Sequence, residues 1–133
     1  MKTFDYSLVK DPQYFKDGRM DAHSDHTYYR DGEEAKEKET SFRYDLNGIW
    51  KFHYARNYGS AIPGFEKEDY CCKDWDDIRV PAHIQMEGYD APQYANVQYP
   101  WEGHEDIHPG EIPEHFNPVA SYVKYFEVPE EMQ

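Results

Sequence analysis

Residues 41–55 read SFRYDLNGIWKFHYA. Phe42, Tyr44 and Leu46 alternate with polar side chains, Asn47-Gly48 has turn chemistry, and Trp50, Phe52 and Tyr54 then alternate with Ile49, Lys51 and His53. A period of two sends successive side chains to opposite faces of a pleated strand, so the stretch predicts β-structure on both sides of Asn47-Gly48. Downstream, DWDDIRV (74–80) runs into Pro81, which predicts a short strand around Ile78–Val80 that stops where the amide donor is lost. SYVKYFEV (121–128) is β-branched and aromatic and predicts a further strand ahead of Pro129.

Working outward, the segments between these strands read as loops. Asn57 to Gly64 holds two glycines and a proline, and between Asp90 and Pro118 five prolines (92, 100, 109, 113 and 118) exclude a regular helix or central strand over most of the stretch. Residues 1–41 carry 7 basic and 10 acidic side chains and few aliphatic ones; Tyr6, Leu8, Tyr14, Phe15 and Met20 sit there without a helical or strand period. This predicts an N-terminal arm (1–41) that needs another surface to lie on. Within it the run Asp31–Glu39 can make one or two solvated helical turns or remain a solvent-facing linker. Three or four strands and no strong helix predict an all-β architecture of sandwich type. So few strands neither cover both faces nor pair their edges, so residues 42–133 are expected to be part of a domain rather than all of it.

The chain has 133 residues with 14 Lys+Arg against 27 Asp+Glu, a formal net charge of −13. Leu, Ile, Val and Phe together number only 21, a fraction typical of disorder, but 13 Tyr, 7 Phe and 3 Trp supply the apolar area for a small aromatic core. Nucleic acid is excluded as a partner, because its phosphates are tracked by clustered Lys and Arg. The N-terminus has no apolar stretch after Lys2 and no window reaches about 18 apolar residues, so neither a signal peptide nor a membrane span is expected. The adjacent pair Cys71-Cys72 fits neither a disulfide framework nor a C-x-x-C zinc pair, and points to a reducing, cytoplasmic setting.

His104-Glu105-Asp106-Ile107-His108 matches the H-E-x-x-H pattern of zinc peptidases, which needs a helix to bring both imidazoles to one face. Pro100 and Gly103 before it and Pro109-Gly110 after it argue against that helix, leaving His115 with Glu111 and Glu114 as no more than an incidental surface group. Carboxylates are too numerous for any pair to stand out as acid and base, and no phosphate loop or nucleophile elbow is present. No catalytic or metal-binding residue is therefore assigned. The stretch that invites binding is VPAHIQMEGYDAPQYANVQYPWEG (80–103), with Trp101, the rings of Tyr89, Tyr94 and Tyr99, the more distant Tyr122, and the amides of Gln85, Gln93, Asn96 and Gln98. Rings that stack on a pyranose and amides that both donate and accept are what a sugar site uses; the same rings can equally pin a long loop to a sheet.

Four blocks, DPQYFKDGRMDAHSDHTYYRD, FRYDLNGIWKFHYA, the 80–103 stretch and FNPVASYVKYFEVP, resemble the N-terminal domain of the large beta-galactosidases of glycoside hydrolase family 2. The resemblance implies a partial jelly-roll, galactose-binding-like sandwich over 42–133 and an arm that threads between subunits of a homo-oligomer. It implies that Asn96, within Tyr94-Ala95-Asn96-Val97, hydrogen-bonds a sugar hydroxyl. Ile84 stands where some members have Trp, and Ala82-His83 where some have Ser-Asn. By the same resemblance, both catalytic glutamates, the magnesium ligands and the sodium-binding Asp lie outside these 133 residues, so no cofactor is expected in this chain and it is expected to be inactive alone. The partners implied are a beta-galactoside and the remainder of the enzyme chain; the competing expectation is a stand-alone carbohydrate-binding or complementing module.

Overall fold

The strand expected around Trp50 forms as β1 (Gly48–Ala55) and becomes the centre of the molecule. The computed structural model describes residues 5–92, 96 and 101–132, the backbone alone at 131. β1 is flanked by β2 (Asp76–Val80) and β3 (Val119–Val123), both antiparallel to it, in the order β2-β1-β3. Trp50 lies opposite Ile78 and Phe52 opposite Asp76 on one side; Phe52 lies opposite Tyr122 and His53 opposite Ser121 on the other. Three antiparallel strands and short 3-10 turns give the all-β class that the alternation predicts.

Alternation divides β1 between two faces, and each is covered by a different connection. On the Trp50–Phe52–Tyr54 face, the Phe52 ring is 0% exposed beneath Tyr89 and Tyr122, with ring centroids 4.5 and 4.9 Å away, and Ile78 is 2% exposed beside it. On the opposite face His53 meets Trp75 at 5.4 Å, and Trp75 in turn meets Phe65 and Tyr70. Ala55, Cys72 and Ser121 are buried on that side. Lys51 bonds both the Asp77 carboxylate at 2.8 Å and the Trp75 carbonyl at 3.3 Å, so its charge sits over the sheet without being left unpaired. Edge-to-face and tilted rings fill space that the few aliphatic residues cannot.

Two strand expectations shift. Residues 42–47 form no ladder: Asp45 accepts from the Asn47 amide at 2.8 Å, and the Leu46 carbonyl takes the Trp50 indole N–H at 2.8 Å. The alternation there has another use, since Tyr44 stacks on Phe126. β3 begins earlier and ends earlier than the 121–128 stretch, because pairing with β1 runs out after Lys51 opposite Val123. Tyr125 then turns its hydroxyl to the Tyr70 carbonyl at 3.2 Å.

In the N-terminal region the charged run forms α1 (Gly32–Glu37), capped by Asp31, whose carboxylate accepts from the amides of Glu33 and Glu34. Tyr6 packs face to face on Tyr58, with centroids 4.0 Å apart, and accepts a hydrogen bond from Asn117 at 2.9 Å. This end of the chain therefore rests on the sheet's own connections. Phe15, Met20 and Tyr28 by contrast are 74, 79 and 72% exposed.

Two expectations follow. Phe52→Ala removes the ring against which both neighbouring tyrosines pack and should cost about 3–5 kcal/mol of stability, read by chemical denaturation; Phe52→Leu should cost clearly less. Glu34 accepts the amides of Arg30 at 2.8 Å and Ser41 at 3.3 Å, and the Arg30 amide first, then Ser41, holds its carboxyl below the usual glutamate range. A folded-state value below the unfolded one means that this brace contributes in full above the usual range and is lost as pH falls through the lowered value. The proton shifts of these two amides should titrate together below the usual range and stop doing so in Glu34→Gln; titration at or above it would contradict the assignment.

Candidate functional site

The incoming root of the 80–103 loop is built from β2 outward. After Val80 the chain makes a 3-10 turn (Ile84–Glu87) that Gly88 closes at φ +95, a left-handed conformation that glycine adopts without strain. Arg79 holds Glu87 at 2.8 Å. The turn delivers Tyr89 onto Phe52, and Asp90 follows at φ +56, a region that Asp tolerates better than most residues. Burial first, and then a hydrogen bond to Asp76, push the Tyr89 phenol above the ordinary tyrosine range; burial first, and then the Asp90 carboxylate, do the same to Tyr54.

The outgoing root is held differently. The Trp101 carbonyl accepts from the amides of His104 at 2.9 Å and Glu105 at 3.2 Å. The Glu105 carboxylate then accepts three amides of a separate segment: Glu114 at 2.8 Å, His115 at 2.9 Å and Phe116 at 3.2 Å. The Glu114 amide, then those of His115 and Phe116, hold the Glu105 carboxyl below the usual range despite partial burial. His104 stacks on Phe116 with centroids 4.4 Å apart.

These contacts replace the zinc-site reading of residues 104–108. The segment is not helical, its glutamate accepts three backbone amides and its first histidine stacks on Phe116, so neither is arranged as in a zinc-binding helix. Among the described residues no three His, Cys, Asp or Glu side chains gather as metal ligands, and no helix is long and apolar enough to cross a membrane.

The aromatic set divides. Tyr89 and Tyr122 cover Phe52 and serve the core, as the pinning alternative has it. Trp101 is half-buried at the outgoing root, and Gln85 is half-buried within the 3-10 turn. Asn96 is an exposed turn residue between the two roots, engaged within the chain. Gln93, Tyr94, Gln98 and Tyr99 lie outside the described residues. What the sequence reading did not mark are Asp76, Asp90 and Glu105. Asp76 opens β2 and Asp90 follows the 3-10 turn, and no local spacing marks either of them or connects Glu105 with residues 114–116. Both cysteines are free of disulfides, Cys72 being buried with its thiol 3.5 Å from the Tyr125 hydroxyl.

The family model described as "Glycosyl hydrolases family 2, sugar binding domain" matches residues 43–133. The chain is 52% identical to a beta-galactosidase of Halalkalibacterium halodurans, over 99% of this chain and 13% of that protein. It is 42% identical to a beta-galactosidase of Streptococcus thermophilus, over 90% of this chain and 12% of that protein. It is 37% identical to a beta-galactosidase large subunit of Latilactobacillus sakei, over 88% of this chain and 21% of that protein. The chain thus spans only a small part of the length of these relatives. With its antiparallel β-sheet and its match to a domain of jelly-roll type, the chain belongs to glycosyl hydrolase family 2, through that family's sugar binding domain.

Proposed function

We propose that this chain supplies the first-domain part of a beta-galactosidase and forms one wall of its galactoside pocket, with bond cleavage assigned to groups elsewhere in the polypeptide. The observation that carries this reading is the match of residues 43–133 to a sugar binding domain, in a chain whose relatives bear the name beta-galactosidase. The structure adds a physical reason: the chain leaves a rigid sheet at Tyr89 and returns through Trp101 and Glu105, and Asn96 between these roots is exposed. Asn96 offers one carbonyl oxygen and one amide group, enough to bond adjacent sugar hydroxyls.

In the complete enzyme the reaction is the retaining hydrolysis of a terminal beta-galactoside, in which one carboxylate attacks the anomeric carbon and a carboxylic acid protonates the leaving oxygen. This chain's share is binding and orientation. Magnesium and sodium belong to the complete enzyme in this reading; the described residues offer no cluster that fits either ion, and no step here depends on them. The division into an arm (1–41) and a partial sugar-binding domain (42–133) is part of the same proposal. So are assembly as a homo-oligomer, with the exposed Phe15, Met20 and Tyr28 of the arm as subunit contacts, and a cytoplasmic setting, which the free thiols suit.

Two measurements test it. In a beta-galactosidase carrying this segment, Asn96→Ala should weaken galactoside binding about three- to tenfold, the loss of one or two ordinary hydrogen bonds; unchanged kinetics would retract the assignment. Mixing the chain with a beta-galactosidase deprived of its own N-terminal segment should restore hydrolysis of a chromogenic galactoside, while the chain alone gives none. Glycan affinity of the chain by itself, with no restoration in the mixture, would favour the stand-alone binding module instead.

A further inference from the structure

Between Trp101 and Phe116, Glu105 is set apart from the other acidic residues: it is half-buried, whereas Glu102, Asp106, Glu111 and Glu114 are exposed. Its Oε1 takes the amide of Glu114, and its Oε2 those of His115 and Phe116. These amides lie between Pro113 and Pro118 in a segment with no strand ladder, so the carboxylate satisfies donors that would otherwise face solvent or stay unpaired. Glu105 is also tied by its own N–H to the Trp101 carbonyl. The residues it holds are in turn fixed to the end of β1: the Asn57 amide side chain donates to the His115 carbonyl at 3.2 Å, the Asn117 N–H to the Arg56 carbonyl at 3.0 Å, and the Arg56 guanidinium lies 5.7 Å from the centre of the Phe116 ring.

A continuous set of contacts therefore runs from Trp101 through Glu105 to Arg56 and Asn57, which directly follow β1, the strand onto which Tyr89 pins the other root of the loop. We propose that Glu105 is a positioning residue: its two-oxygen clasp on residues 114–116 fixes Trp101–Glu105, the outgoing root of the loop that carries Asn96, and so supports the binding role of Asn96. The proposal rests on the reading of Asn96 as a sugar contact only for its consequence in binding; the clasp itself is independent of that reading. A carboxylate is required because both oxygens accept. Glutamine keeps one acceptor and places an NH₂ donor against an N–H donor, so it can retain part of the clasp and not all of it.

Amide exchange by NMR on the whole 133-residue chain tests the clasp. The amides of Glu114, His115 and Phe116, together with those of His104 and Glu105, should exchange about tenfold or more faster in Glu105→Ala, with Glu105→Gln intermediate. Amides of β1 should be unaffected, and if Glu105→Ala loses them too, the milder Glu105→Gln supplies the comparison. Equal exchange at His104 and Glu105 in all three proteins, or in the wild type and Glu105→Gln where that pair carries the comparison, would overturn the proposal, even if residues 114–116 were loosened. Asn96→Ala should leave this pattern unchanged. In the galactoside-binding assay, Glu105→Ala should weaken affinity wherever Asn96→Ala does; an effect of Asn96→Ala without one of Glu105→Ala would overturn the positioning role. No effect of Asn96→Ala would instead remove the sugar-contact reading and leave the exchange result to decide the clasp.

Discussion

Tyr89 set edge-on over Phe52 is the contact on which the rest of the described structure depends. Phe52 sits at the middle of the central strand, and with few aliphatic residues available its ring is buried only because two tyrosines, one from the long loop and one from β3, close over it. The same contact that completes the core therefore also anchors the loop. Loss of the ring would loosen both, which is why stability and loop geometry cannot be separated at this position.

The excess of negative charge has a local explanation in the backbone. Among the described residues three strands, one short helix and four 3-10 turns pair their own amides, and the irregular stretches between them need other acceptors. Carboxylates provide them: Asp5 to Ser7, Asp11 to Gln13, Asp31 to Glu33 and Glu34, Asp45 to Asn47, Glu111 to His108, and the larger clasps of Glu34 and Glu105. Most bridge two or three residues and shape a single turn. Glu34 and Glu105 reach furthest, Glu34 joining Arg30 to Ser41 and Glu105 joining its own segment to residues 114–116.

Strand alternation was legible where both faces of the strand are covered. Trp50, Phe52 and Tyr54 read as β-structure and are β-structure, whereas Phe42, Tyr44 and Leu46 show the same period without a neighbouring backbone to pair with, and the chain there is turned by Asp45. Flanking Pro and Gly keep the H-E-x-x-H run out of a helix, yet nothing at that spacing announces that Glu105 serves three amides. The rings of the 80–103 stretch and the more distant Tyr122 carry two readings, and for Tyr89 and Tyr122 packing on Phe52 decides for the core.

From residue order alone one could obtain the β class, the central strand and the family, since these depend on short-range periods and on an ordered set of residue types along the chain. Which tyrosine becomes core, which carboxylate becomes a brace, and that the loop's two roots end on β1 and directly after it are settled only by folding. The reason is physical: a hydrogen bond or a ring contact depends on separation in space, and residues such as Phe52 and Tyr89 or Glu105 and Phe116 approach each other only when the connections between them have closed over the sheet.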